Sequence, residues 1–140
     1  MNIAIDIATR TIKAHEGLRL HPYKCTSGKI TIGYGRNLDD VGISQSDADH
    51  FLKEDIKKAH KAAKTLFDSF NELNPRRQAV LIDMAFNLGM TRLSKFKKMI
   101  EAVNYHDYEK AAHEMLDSKW AVQVGNRANY LAEAMREGTY

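Results

Sequence analysis

The strongest constraint on the fold is a break in the chain's character between residues 18 and 42. Pro22, Gly28, Gly33, Gly35 and Gly42 interrupt this stretch at intervals too short for a helix to become established. Proline removes a helical hydrogen bond, and glycine gives up more chain entropy in a helix than other residues do. The pieces between them, such as Lys29-Ile30-Thr31-Ile32, are short and β-branched. The spacing therefore predicts a small antiparallel sheet with tight turns.

Helical periodicity dominates everything that follows. Ser44-Gln45-Ser46-Asp47 has the form of a capping box, with Asp in place of the usual Glu or Gln. Ala48, Phe51, Leu52, Ile56, Ala59, Ala63 and Leu66 then recur at helical spacing, which predicts a long helix over 45–66 able to bridge two lobes. Asn74-Pro75 opens the next helix, whose buried face is read as Val80, Leu81, Met84, Ala85 and Leu88 and whose end is read at Gly89. Shorter helices are predicted near 93–103, 107–118 and 126–136. Ahead of the glycine-rich stretch, Ile3, Ile5 and Ile7 alternate as in a strand, while Ile3, Ile7 and Ile12 fit a helical stripe. A helix is the expectation, with Asn2 as its cap and Gly17 beyond its end. The fold class is α+β, mainly α.

A chain of 140 residues suffices for one domain with a genuine core. The net charge of +3 is mildly basic and favours a polyanionic partner without naming one. The single cysteine rules out an intramolecular disulfide. Asp6 and Arg10 interrupt the first ten residues, which do not read as a signal peptide, and no run approaches the roughly 18 apolar residues of a membrane span. Synthesis and retention in the cytoplasm are expected, with no stable membrane insertion. The six histidines lack the ligand spacing of a metal site, and no cofactor is expected.

Glu16, Cys25 and Thr31 place an acid, a second proton-handling group and a hydroxyl on one short segment that a hairpin can fold back on itself. Glycoside hydrolysis needs a proton donor for the leaving oxygen and a group that activates water or attacks carbon. The segment Glu16-Gly17-Leu18-Arg19-Leu20, closed by Thr31-Ile32-Gly33-Tyr34-Gly35, resembles the lysozymes of T-even phages and related endolysins, glycoside hydrolase family 24. Ala85-Phe86-Asn87-Leu88-Gly89, the stretch Ser118–Ala128 around Trp120 and Arg127, and Arg136-Glu137-Gly138-Thr139-Tyr140 are similar to further segments of that family, in the same order.

The resemblance implies one lysozyme domain over 1–140. Its parts are a β-containing catalytic lobe at about 12–45, a connecting helix at about 45–66, and a helical lobe at about 67–140 that includes the N-terminal helix. It implies a muramidase acting on peptidoglycan, with Glu16, Cys25 and Thr31 as catalytic residues and Asn37, Phe86, Asn87, Glu114 and Arg127 contacting substrate. Arg127 is expected to pair with Glu16 across the saccharide cleft, and Trp120 to belong to the core of the helical lobe. Cys25 stands where many members carry aspartate, and three roles are open to it: base toward water, nucleophile, or anchor for water. The expected setting is a monomer that needs no nucleic acid. It would stay in the cytoplasm of a phage-infected host until a holin-type pore gives access to the wall. A non-catalytic wall-binding or cationic membrane-disrupting protein is the alternative.

Overall fold

The computed structural model describes residues 2–139; Met1 and Tyr140, the latter part of the closing motif, lie outside the described residues. Chain contacts divide the molecule into two compact units, residues 1–49 and 50–140.

The first unit opens with helix α1 (Ile3–Glu16). Asn2 Oδ1 accepts a hydrogen bond from the Ile5 N–H at 3.3 Å, and Gly17 leaves the helix at φ 70°. These two end signals decide between the alternating and helical readings of the isoleucines. Ile3, Ile5, Ile7 and Ile12 all remain more than half exposed. Strands β1 (Arg19–Lys24), β2 (Ile30–Gly33) and β3 (Arg36–Asn37) form an antiparallel sheet in that order, as the turn residues predict. Tyr23 pairs with Thr31 and Lys24 with Ile30, but the register slips between Tyr23 and Arg19. Pro22, which has no N–H to give the ladder, falls within that irregularity.

A short helix α2 (Leu38–Val41), not foreseen from the sequence, follows β3. It fastens the hairpin. Asp39 Oδ2 accepts from the Ile30 N–H at 2.8 Å, Lys29 Nζ lies 3.1 Å from Asp40 Oδ1, and Arg36 Nε donates to the Gly42 carbonyl at 2.8 Å. Helix α3 (Gln45–Leu66) begins where the capping box places it. Asp47 N donates to Ser44 Oγ at 3.0 Å, and Ser44 N donates back to Asp47 Oδ2 at 3.2 Å.

The second unit is helical. It holds most of α3, a 3₁₀ turn at Phe70–Glu72, α4 (Pro75–Leu93), α5 (Lys97–Asn104), α6 (Tyr108–Leu116), α7 (Lys119–Val124) and α8 (Asn126–Glu137). Asn74 caps α4 by accepting from the Arg77 N–H at 2.9 Å, with Pro75 in the first turn. Gly89 breaks α4 at φ 78°, ψ 165°, so the predicted end is real, but a further helical turn follows it. The helix expected from 93 begins later, at Lys97, and α7 was not expected; Ser118 Oγ starts it by accepting from the Ala121 N–H at 3.2 Å.

The core of this unit centres on Phe67, Leu81, Met84, Leu93, Met99, Val103, Met115 and Met135, all essentially inaccessible to solvent. The predicted face of α4 is buried throughout. On α3 the expected stripe is buried only at Ala59 and Ala63, joined by the unpredicted Ala62, with Leu66 partly buried, while Phe51, Leu52 and Ile56 stay exposed. Helical spacing marks a face as apolar, but a partner has to cover it. Arg77 ties the start of α4 to the end of α8 by donating to the carbonyls of Met135 and Arg136 at 2.7 and 3.0 Å. Among the described residues no helix is long and apolar enough to cross a membrane.

Leu81 is fully enclosed, so Leu81→Ala removes packed methyl groups that no neighbour replaces. Its unfolding free energy is expected to fall by about 2–5 kcal/mol, read as a lower urea midpoint at unchanged slope.

Candidate active site

Glu16 is the last residue of α1 and is exposed. Its position relative to the sheet is set by the turn between β2 and β3. Gly35 lies directly against the Glu16 side chain, so that a Cβ at Gly35 would collide with Oε2 and Cδ of the carboxylate. Gly35 also takes φ +73°, a conformation that L side chains rarely adopt. One turn earlier on α1, Lys13 Nζ sits 5.3 Å from the centre of the Tyr34 ring. The last turn of the helix therefore rests on residues 34 and 35 and leaves the carboxylate at the end of the sheet, open to solvent.

Cys25 sits at the opposite end of β2, in the turn joining β1 to β2. Its N–H donates to the Lys29 carbonyl at 2.9 Å, and its own carbonyl accepts from the Gly28 N–H at 2.8 Å. Cys25 is partly exposed, and its sulfur lies 3.1 Å from Ser27 Oγ. This environment lowers the Cys25 thiol to about 7. The Ser27 hydroxyl has the largest effect, followed by the backbone at Lys29 and at Ser27; the Thr31 hydroxyl adds the smallest, and slight desolvation opposes them all. The cause is hydrogen bonding that favours the charged form. A thiol with that value is about half ionised at neutrality, whereas an ordinary cysteine near ~8.5 is almost wholly protonated.

Thr31, on β2, is the one buried polar residue of the described sheet, 3% exposed. Its Oγ1 donates to the Lys29 carbonyl at 3.0 Å, which leaves the oxygen lone pairs free to accept. Asn37 pairs with Thr31 across β2 and β3. The Asn37 side chain is occupied locally: Oδ1 caps α2 by accepting from the Asp40 N–H at 3.1 Å, and Nδ2 donates to Asp40 Oδ2 at 2.8 Å. The first unit thus gathers Glu16, Cys25, Thr31 and Asn37 around a single four-residue strand. Glu16 lies by Gly35, past one end of that strand, and Cys25 by Lys29, before the other.

In the second unit, Phe86 is 43% exposed and borders two open grooves. One, of about 570 Å³, is lined by α3 and α4 residues including Asp55, Lys58, Ala62, Phe86 and Met90. The other, of about 260 Å³, is bounded by Leu52, Ile56, Ile82, Asp83, Phe86 and Arg127. Arg127 donates from Nε to Asp83 Oδ1 at 2.9 Å, and its Nη2 donates to the same oxygen. Asn87 is exposed, and its Oδ1 accepts from Trp120 Nε1 at 2.8 Å. Trp120 is buried, edge-on to Phe96, which makes it core as expected. Glu114 borders neither groove beside Phe86 but a separate depression of about 370 Å³ formed with Lys95–Met99, Asp117 and Ser118.

Three residues near these groups were not assigned to the site from the sequence, though Gly35 was read as a turn residue. Ser27 touches the sulfur, Gly35 seats the carboxylate, and Asp83 holds Arg127. For two of them a signal existed. A hydroxyl two residues after a cysteine in a turn is within local bonding range, and Asp83 precedes Phe86 and Asn87 by three and four residues, on the same helix face. Among the described residues no group of three or more His, Cys, Asp or Glu side chains could hold a metal ion.

A small sheet carrying a carboxyl group and a thiol, in a chain whose second unit is helical, is consistent with a glycoside hydrolase of the lysozyme type. The chain belongs to the phage lysozyme family, whose model matches residues 13–136. It is 28% identical to the probable T4-type lysozyme 2 of Dictyostelium discoideum, with 91% of this chain and 92% of that protein aligned. It is 34% identical to an endolysin of Acyrthosiphon pisum secondary endosymbiont phage 1, with 79% of this chain and 74% of the relative aligned. A 27% identical match to the pre-baseplate central spike protein Gp5 of Enterobacteria phage T4 takes in 84% of this chain and 25% of that longer protein.

Proposed function

We propose that this lysozyme is an endolysin that hydrolyses the β-1,4 bond between N-acetylmuramic acid and N-acetylglucosamine in peptidoglycan. In this reading the Glu16 carboxyl gives its proton to the leaving glycosidic oxygen. A water attacks the anomeric carbon, the bond to the leaving oxygen breaks, and the water's proton passes to the Cys25 thiolate. The Thr31 oxygen accepts from the same water and orients it. Exchange with solvent then reprotonates Glu16 and deprotonates Cys25. Phe86, Asn87 and Arg127 belong to the saccharide-binding surface, with Asn37 and Glu114 as further contacts.

The observation that supports this reading best is the thiol at about 7 beside Ser27 and Thr31. It gives a cysteine in an aspartate's place a usable anionic form at neutral pH. The setting proposed is host lysis by a monomer that waits in the host cytoplasm and reaches the wall through a holin-type pore.

Mass spectrometry of digested peptidoglycan tests the bond assignment: reducing muramic ends are expected, and reducing glucosamine ends would replace this reading with a different glycosidase. The thiol's part has its own pH signature. Because its pKa is lowered, the thiolate persists above about pH 7 and is lost as the pH falls below it. Clearing of exposed peptidoglycan should decline across that range, and Cys25→Asp should move the decline to more acid pH. Alkylating Cys25 should remove most of the activity.

A further inference from the structure

We infer that Ser27 is a positioning residue for the reaction, holding the Cys25 sulfur in its anionic form and aiming it from the turn between β1 and β2; this rests on the proposed role of Cys25. The geometry is local and specific. Ser27 Oγ stands 3.1 Å from Sγ, inside a turn that the Gly28 N–H closes onto the Cys25 carbonyl at 2.8 Å and the Cys25 N–H closes onto the Lys29 carbonyl at 2.9 Å. Gly28, at φ +80°, completes the reversal. The contact thus joins two side chains of one hydrogen-bonded turn.

The direction of the hydrogen bond is what gives Ser27 its effect. Toward a neutral thiol either group can donate. Toward a thiolate only the hydroxyl has a hydrogen, and charge-assisted bonds are the stronger kind. The contact therefore favours the ionised sulfur over the neutral one. Ser27 is also the largest single cause of the lowered thiol, ahead of the backbone groups and of Thr31. Thr31 is poorly placed to substitute, because its proton is engaged by the Lys29 carbonyl.

The charged and titratable groups on the elements around the turn are Arg19, His21, Tyr23 and Lys24 of β1, Lys29 with its partner Asp40, Arg36 of β3, Asp39 of α2 bound to the Ile30 N–H, and Glu16 at the end of α1. All are unchanged in the variants below, so any shift in titration reports the hydroxyl.

Cys25 is the only thiol in the chain, which makes its titration directly measurable. The rate of alkylation by iodoacetamide is followed against pH for the intact protein, Ser27→Ala and Ser27→Thr, together with the pH dependence of clearing. In Ser27→Ala the alkylation midpoint should rise toward the ordinary value near ~8.5, with the rate at neutral pH falling roughly threefold to tenfold and the clearing profile moving the same way. Ser27→Thr keeps the hydroxyl and should restore both. An unmoved alkylation midpoint in Ser27→Ala overturns the inference even if Cys25→Ala is inactive. Full clearing by Cys25→Ala instead refutes the proposed role of the thiol, and with it any part for Ser27 in the reaction. The two failures are told apart because the first is read from titration and the second from activity.

Discussion

Glu16→Gln is expected to abolish clearing of exposed peptidoglycan, lowering kcat by about 10²–10⁴-fold, the range that positioned acid catalysis contributes. The amide has nearly the shape of the carboxyl group but no proton to give the leaving oxygen. Glu16 is exposed at the end of α1 and takes no part in the buried core, so the melting temperature should hardly change. The pairing of lost activity with retained stability separates a chemical role from a structural one. Full clearing by Glu16→Gln would leave only a non-catalytic way of acting on cells.

Gly35→Ala should lose about 10–100-fold in activity while keeping every residue of the proposed chemistry. Two costs combine. Alanine at φ +73° is strained by roughly 1–2 kcal/mol, and its methyl group falls where the Glu16 carboxylate now rests. The acid must move, and a displacement of about 1 Å in a catalytic group can cost on the order of 10²-fold. Gly33→Ala is the matched control: it has φ +70° but nothing within 4 Å of the added carbon. It should lose stability to the same extent and keep most of its activity. Adding Gly35→Ala to Glu16→Gln should produce little further loss, because the position matters through the acid it seats. Equal activity losses in the two glycine variants would mean that strain alone is responsible.

Much of this was legible in the chain. The turn residues of 18–42 announced a small antiparallel sheet, since glycine and proline leave no room for a long helix over such short intervals, although the four-residue α2 forms there. The Ser44–Asp47 box and Asn74-Pro75 placed two helix starts to the residue, because capping depends on a side chain bonding a backbone group two or three positions away. The face of α4 was read in full, but that of α3 only in its second half. Periodicity records which residues are apolar; coverage is decided by partners distant in sequence. The extra helices α2 and α7 are short, at four and six residues, too brief for a periodic pattern to stand out.

The candidate site divides along the same line. Sequence alone named the side chains proposed for the chemistry, Glu16, Cys25 and Thr31, because their local spacing and a conspicuous motif single them out. Tertiary structure decided what each one touches: the carboxylate against Gly35, the sulfur against Ser27, Arg127 on Asp83 and Asn87 on Trp120. Asn37, expected at substrate, caps α2 with its side chain. Protonation state and aim depend on contacts a few ångströms long, and those exist only once the backbone has closed its turns and packed its helices.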